Sequence, residues 1–186
     1  MEKFIKILSK SDLWRIIMIF ITVGTHTQPF NRLLVEVDNL ISKGFIKKRV
    51  VAQIGYSTYK PKNYEFFNFT SYKKILSLNK KADIVISHAG VGSIIIALKY
   101  KKPLIIVPRL KKYNEHTDNH QLQIAKAFEN ENKAIVVYDI EKLGNAIKNA
   151  KKFNFKYIYK ENTLVKEVSK ILSEWEKKFF TLNQKY

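Results

Sequence analysis

The chain has 186 residues, with 34 Lys and Arg against 16 Asp and Glu, and a formal net charge of +18. Hydrophobic residues make up 46% of it and aromatic residues 13%, which is enough for the core of one domain and excludes disorder throughout. The absence of cysteine excludes disulfides, thiolate metal sites and a cysteine nucleophile, and it is typical of a protein of the reducing cytoplasm. The excess of lysine fits a negatively charged partner, such as nucleic acid, an anionic membrane or a phosphorylated small molecule, or simply a solvated surface.

Residues 1–17 are the first predicted element, an amphipathic helix in which apolar and basic side chains alternate at helical spacing. A basic helix that carries Phe4 and Trp14 can lie in a membrane interface, or it can pack on its own domain or on a partner. The sequence leaves these two possibilities open. Neither a signal peptide nor a membrane-spanning helix is expected, because the longest apolar runs fall well short of ~20 residues.

From residue 18 onward, short β-rich runs alternate with helical patterns. The predicted strands are residues 18–23, 50–54, 66–69, 84–87, 104–107 and 134–137, and the predicted helices are residues 31–43, 71–80, 93–100, 118–130, 140–150 and 163–178. Several strands are apolar on both faces, which predicts an α/β fold, a parallel sheet of about six strands covered by helices. Ligands of such folds bind beyond the carboxyl ends of the strands.

A glycine pair, Gly90 and Gly92, follows the fourth predicted strand and precedes Ser93 and a helix. This arrangement places free backbone N–H groups at a helix N-terminus and predicts a pyrophosphate site, although a glycine pair here is also common where packing is tight. The chain has no GxxxxGK[ST] motif, which excludes a nucleoside triphosphatase of that type. The position after the fourth strand argues against a standard NAD site.

A strongly polar segment, residues 108–121, follows the fifth predicted strand. His116, Asp118 and His120 have a spacing that could supply metal ligands, but no further partner is evident and we predict no metal. The same imidazole and carboxylate groups suit sugar hydroxyls, and Asp118 could instead cap the next helix.

Five ordered motifs within residues 18–150 carry a resemblance to a known family. They are Gly24-Thr25-His26 with Gln28, Phe30, Arg32 and Leu33; Gln53-Ile54-Gly55; Ser87-His88-Ala89-Gly90-Val91-Gly92-Ser93; Lys102-Pro103-Leu104-Ile105-Ile106-Val107-Pro108-Arg109; and Glu115-His116 with Asp118, His120 and Gln121. Together they closely resemble the PssE-type donor-binding subunit of two-component glycosyltransferases, whose domain is similar to the C-terminal domain of family 28 glycosyltransferases. The resemblance implies a Rossmann-like sheet with helices on both faces, one half of a GT-B fold. This nucleotide-sugar-binding domain would span residues 18–160, and residues 161–186 would add a helix that packs on this domain or on a partner.

The resemblance also implies which residues bind the UDP-sugar. They are Gly24, Thr25, Gln53, Gly55, Tyr72, His88, Ala89, Gly90, Val91, Gly92, Ser93, Arg109, Asp118, His120 and Gln121. Residues 88–93 would hold the diphosphate and residues 69–72 the nucleobase, while Asp118, His120 and Gln121 would face the sugar. Arg109 is also suited to pair with a sugar carboxylate. One departure is that relatives often have a ribose-binding Glu in the helix after the glycine loop, where this chain has Ile94-Ile95-Ile96.

Inverting sugar transfer needs a base for the acceptor hydroxyl and a group that stabilises the leaving UDP. Helix N-terminal amides can do the second without a metal, so no cofactor is expected. The candidate catalytic residues are His26, Glu115 and His116, unless a partner subunit supplies the base.

The favoured function is therefore the donor-binding subunit of an inverting UDP-sugar-dependent glycosyltransferase. It would extend a lipid-linked oligosaccharide or polysaccharide precursor as a peripheral protein at the cytoplasmic face of the membrane. The expected partners are the UDP-sugar donor, a lipid-linked sugar acceptor, a membrane-anchored acceptor-binding subunit and an anionic membrane surface, and no nucleic acid. The alternatives are a basic nucleic-acid-associated protein, in which Tyr56, Tyr59 and Tyr64 stack on bases, and a one-domain metal-dependent hydrolase or epimerase.

Overall fold

The computed structural model describes residues 18–157, 166, 168–171 and 173–174. Within these residues lie six strands, β1 Met18–Thr22, β2 Arg49–Gln53, β3 Glu65–Phe67, β4 Ile84–Ser87, β5 Leu104–Ile106 and β6 Ile135–Val136. The α-helices are α1 Asn31–Ser42, α2 Tyr72–Lys81, α3 Val91–Lys99, α4 His120–Asn130 and α5 Leu143–Asn149. The predicted helix over residues 1–17 lies outside the described residues.

The six strands form one sheet in the order β3-β2-β1-β4-β5-β6, and all its neighbouring pairs are parallel. The chain winds outward from β1 on one side and from β4 on the other, so the connections diverge between these two central strands. A crevice opens at such a switch point beyond the carboxyl ends of the strands. The predicted α/β Rossmann-like fold is confirmed.

Helices cover both faces of the sheet, which explains why the central strands β1 and β4 are apolar on both faces up to their last residues, Thr22 and Ser87. Ile19 and Ile21 of β1 point into a hydrophobic cluster with α1 and α5, whereas Phe20 points into a second cluster with α3 and α4. All five residues of β1 are buried. Val168 and Ile171 are buried in the second cluster, so this part of the predicted C-terminal helix packs on the domain.

Three predicted helices differ from those in the structure. The helix predicted over residues 93–100 begins at Val91, directly after Gly90. The helix predicted over residues 118–130 begins at His120, because the Asp118 carboxylate accepts the His120 N–H at 2.8 Å and holds the preceding residues in turns. The helix predicted over residues 140–150 is divided into a 3₁₀ turn, Ile140–Lys142, and α5. None of the described helices is both long and apolar enough to span a membrane.

Candidate functional site

A cleft of about 480 Å³ lies at the carboxyl edge of the sheet, the edge at which the strands end. It is lined by Thr22, Gly24, Thr25, Gln53, Phe69, Thr70, Tyr72, Ile75, His88, Gly90, Gly92, Ser93, Ile95 and Ile96. These residues end β1 or β2, follow β1, β3 or β4, or belong to α2 and α3. The cleft therefore occupies the switch point between β1 and β4.

The N-terminus of α3 opens into this cleft. Gly90 is the N-cap residue, and neither a side-chain cap nor an acidic residue in the first turn occupies the helix end. The first backbone N–H groups of a helix have no partner within the helix, and together with the helix dipole they favour an anion. Gly92, in the first turn, is exposed, and a Cβ added to it would meet no atom within 4 Å.

The glycine at position 90 also has a packing role, because the His88 ring lies between Gly24 and Gly90. A Cβ added to either glycine would overlap this ring. Nδ1 of His88 lies 3.3 Å from the Thr22 carbonyl oxygen, which can only accept, so Nδ1 carries the proton of the neutral ring. Burial, with Arg109 nearby, lowers the pKa of His88 to about 4. His88 is therefore uncharged near neutral pH, with Nε2 as an acceptor.

The Gln53 amide ties together the loops that follow β1 and β3. Its Oε1 accepts from the Thr22 hydroxyl at 2.7 Å and from the Gly24 N–H at 3.1 Å. Its Nε2 donates to the carbonyls of Gly24 and Asn68 at 2.8 and 3.2 Å. Gln53 thus shapes the floor of the cleft, and its polar atoms are already paired within the protein.

Exposed aromatic side chains form the rim of the cleft at its β3 end. Tyr56 and Phe69 meet edge to face with ring centroids 5.0 Å apart, and Tyr72 is 67% exposed. Phe69 and Tyr72 both line the cleft. Exposed aromatic faces of this kind can stack on a planar nucleobase.

A pair of histidines lies on the loops after β1 and β5. The rings of His26 and His116 are 4.5 Å apart, and Nδ1 of His116 lies 3.0 Å from a carboxylate oxygen of Asp118. Burial, His116 and Arg109 together lower the pKa of His26, which favours its neutral form. His26 directly follows the cleft residue Thr25 in the chain, but neither histidine lines the cleft. Among the described residues, no group of three His, Asp or Glu side chains is placed to hold a metal ion.

Arg109 and Glu115 do not face the cleft, which corrects two of the residue assignments. Arg109 is completely buried and donates to the carbonyls of Val23, Gln28 and Glu115 at 2.7 to 3.0 Å. The Glu115 carboxylate is buried and forms a bidentate salt bridge with Arg32, whose Nε and Nη2 each donate a hydrogen bond of 2.9 Å to it. Their charged groups are therefore used within the protein and are unavailable to a sugar carboxylate or as a base.

The remaining predicted residues divide into three groups. Gln121 is buried, with Oε1 accepting the Arg109 backbone N–H at 3.0 Å, whereas Asp118 and His120 are exposed near the histidine pair. Gly55, Ala89 and Val91 support the loops from behind the cleft lining. Ile75 was not predicted to line the cleft, because apolar helical residues are usually part of a core, and Ile95 and Ile96 were noted only as standing where relatives have a ribose-binding Glu.

Comparison with known proteins places this geometry in a family. Residues 18–178 match the family described as the glycosyltransferase family 28 C-terminal domain. The chain is 36% identical over 124 residues to the human UDP-N-acetylglucosamine transferase subunit ALG13, which covers 61% of this chain and 10% of that protein. It is 37% identical over 95 residues to the ALG13 subunit of Candida albicans, covering 51% of this chain and 31% of that one. The matches thus span at most about a third of these two relatives.

Solved structures show the same fold. An NMR structure of ALG13 has a TM-score of 0.54 at 20% identity, covering 84% of this chain and 96% of that chain. The crystal structure of the glycotransferase of kitacinnamycin has a TM-score of 0.58 at 15% identity, covering 88% and 40%. The parallel sheet and the position of Gly90 and Gly92 at the start of α3 agree with the family match, which extends over most of the chain. The chain therefore belongs to the glycosyltransferase family 28 C-terminal domain family.

Proposed function

We propose that this chain is the donor-binding subunit of an inverting glycosyltransferase that uses UDP-N-acetylglucosamine. The observation that carries the proposal is the α3 N-terminus, which opens through Gly90 and Gly92 into a cleft with an aromatic rim. The names of the relatives, transferase subunits for UDP-N-acetylglucosamine, support this donor. The acceptor is a lipid-linked sugar held by a separate membrane-anchored subunit.

In this proposal the diphosphate lies against α3 and the uracil against Phe69 and Tyr72. As the glycosidic bond to the donor phosphate breaks, negative charge grows on the leaving UDP, and the N–H groups at the start of α3 stabilise it. The acceptor oxygen attacks the anomeric carbon from the opposite side, which inverts its configuration. No Asp, Glu, Lys or Arg is among the described residues that line the cleft, so backbone groups and hydroxyls do this work.

The base that we assign is His116, oriented by Asp118. Nδ1 of His116 is 3.0 Å from the Asp118 carboxylate and 3.3 Å from the N–H of the same residue. We assign the proton to Nδ1, because the charged Asp118 carboxylate lies closer to this nitrogen than the Asp118 N–H that also donates to it, and Nε2 then accepts a proton from a hydroxyl. In His26 the Gln28 N–H donates to Nδ1 at 3.3 Å, so the proton of the neutral ring is on Nε2. His26 is therefore a donor toward substrate.

Substitution of the two histidines separates these roles. We expect His116→Gln to lower transfer by ~10²-fold or more, the usual contribution of a general base, with unchanged UDP binding. Asp118→Asn should lower transfer less, because His116 keeps its imidazole and loses only the carboxylate that orients it. The measurement is GlcNAc transfer to a lipid-linked acceptor by the chain co-purified with its acceptor subunit. Transfer by His116→Gln at the unaltered rate, with His26→Asn inactive, would reverse the assignment.

We also propose that the chain is a peripheral protein at the cytoplasmic face of an anionic membrane. The amino edge of the sheet, at which the strands begin, is rich in lysine. It carries Lys47, Lys48, Lys81, Lys102, Lys151 and Lys152 near the starts of strands or the ends of helices. Burial and the nearby charge of Lys151 lower the pKa of Lys48, and the Asp83 carboxylate partly opposes this shift. Each lysine near anionic lipid contributes ~1 kcal/mol.

This edge is opposite the cleft, but β1 and β2 have five residues each, so only ~17 Å separates the two edges. We expect the variant Lys47→Glu, Lys48→Glu, Lys151→Glu to bind phosphatidylglycerol vesicles ~100-fold or more weakly than the original chain, as measured by co-sedimentation. The matched control is Lys73→Glu, Lys74→Glu, Lys112→Glu, which changes the charge equally elsewhere and should bind nearly normally. Equal losses in both variants would show that the amino edge has no special role.

A further inference from the structure

The wall of the cleft formed by α2 and α3 is apolar. Ile75 of α2 and Ile95 and Ile96 of α3 line it, and all three are half-buried. No carboxylate or cation occurs among the described residues of the lining. This is an unusual wall for a cleft whose proposed ligand carries several hydroxyl groups.

The position of a ribose in this cleft follows from the connectivity of a nucleotide, and here the inference rests on the proposed function. The base would lie at the aromatic rim, with Phe69 and Tyr72, and the diphosphate at Gly90 and Gly92. The ribose links the two, so it lies between the rim and the glycines. Ile75 follows Tyr72 by one turn of α2, and Ile95 and Ile96 follow Gly92 by one turn of α3, so these side chains line the cleft beside both ends of the nucleotide.

A protein distinguishes ribose from 2′-deoxyribose when a polar group pairs with the 2′-hydroxyl and is left unpaired by the deoxy analogue. Two polar groups at the cleft floor, the Thr22 hydroxyl and the Gln53 amide, are already bonded to each other at 2.7 Å. Isoleucine offers neither donor nor acceptor, and an apolar wall gives no advantage to a ligand with one more hydroxyl. The remaining hydroxyls of the lining, those of Thr25, Thr70, Tyr72 and Ser93, are neutral, and a neutral hydrogen bond changes affinity by only about fivefold.

We infer that the cleft does not discriminate between uridine and 2′-deoxyuridine diphosphates, so that its donor class includes nucleotide sugars of both. The residues that determine this lack of discrimination are Ile95 and Ile96, because their side chains form no hydrogen bond with a 2′-hydroxyl. The pyrimidine and the diphosphate then provide the selectivity for the nucleotide.

The test compares the dissociation constants of UDP and dUDP for the full chain, from the amide shifts of Gly90 and Gly92 in NMR titrations. We expect the two constants to agree within fivefold. A fivefold or greater preference for UDP would overturn the inference while leaving the proposed function intact. Failure of both nucleotides to bind at millimolar concentration would overturn the proposed function, and this inference with it.

A designed gain of selectivity tests where the ribose lies. We expect Ile96→Glu to create a preference for UDP over dUDP of tenfold or more, because a carboxylate accepts strongly from the 2′-hydroxyl. The matched variant Ile96→Gln has the same shape without the charge and should show a smaller preference. Ile95→Glu is the second variant if Ile96→Glu fails to fold, as judged by circular dichroism. Folded glutamate variants with the original UDP to dUDP ratio would place the ribose elsewhere and overturn the inference.

Discussion

Gly90→Ala is expected to abolish UDP binding, because the added Cβ would overlap the His88 ring. The ring is buried, bonded through Nδ1 to the Thr22 carbonyl and bounded on its other side by Gly24, so it has no free space to enter. The loop at the start of α3 must shift instead, which displaces the N–H groups that face the cleft. Strain of this kind costs about 1 to 3 kcal/mol, so a loss of stability should accompany the loss of binding.

Gly92→Ala is the matched control, since no protein atom lies within 4 Å of the added Cβ. Alanine is also the better helix former, so the free energy of unfolding should stay constant or rise by up to ~1 kcal/mol. A diphosphate held against α3 would meet the new methyl group, and we expect UDP binding to weaken by about tenfold. Calorimetry and thermal unfolding measure the two effects separately. Unchanged UDP binding by Gly92→Ala would show that the diphosphate lies away from the first turn of α3.

Arg109→Leu is expected to destabilise the fold by about 3 kcal/mol or more. It leaves the carbonyls of Val23, Gln28 and Glu115 without the donor that now joins the loops after β1 and β5. Burial lowers the pKa of Arg109 to about 10, so the guanidinium is charged at neutral pH and its removal also leaves a polar pocket unfilled. Urea unfolding followed by circular dichroism gives the free energy.

Arg49→Leu is the control for that change. Arg49 forms a bidentate salt bridge with Glu65, with hydrogen bonds of 2.8 and 2.9 Å, but both side chains are more than half exposed. The loss should therefore be below about 1 kcal/mol. A stable Arg109→Leu variant with weakened UDP binding would restore the interpretation of Arg109 as a substrate-binding residue.

The fold was predictable because its signals are local. Runs such as residues 84–87 are apolar on both faces, and the structure shows all four of these residues buried in a central strand. The glycine loop was predictable for the same reason, since strand, glycine pair and helix are consecutive in the chain.

The role of each loop residue was harder to predict because it depends on distant partners. Arg32 and Glu115 are 83 positions apart, and Arg109 and Val23 are 86 apart. In the sequence, Arg109 and Glu115 belong to a polar segment that resembles a sugar site, and nothing nearby shows that their charges are paired. The two explanations for the glycines also needed the structure: Gly90 is required by the His88 ring, whereas Gly92 faces open space.

The most direct test of the account is a crystal structure of the chain with UDP-N-acetylglucosamine. In that structure we expect the diphosphate oxygens to lie within hydrogen-bond distance of the backbone N–H groups at the start of α3, and the uracil ring to lie against Phe69 or Tyr72. A nucleotide bound at the lysines of the amino edge, or a cleft left empty at saturating donor, would contradict it.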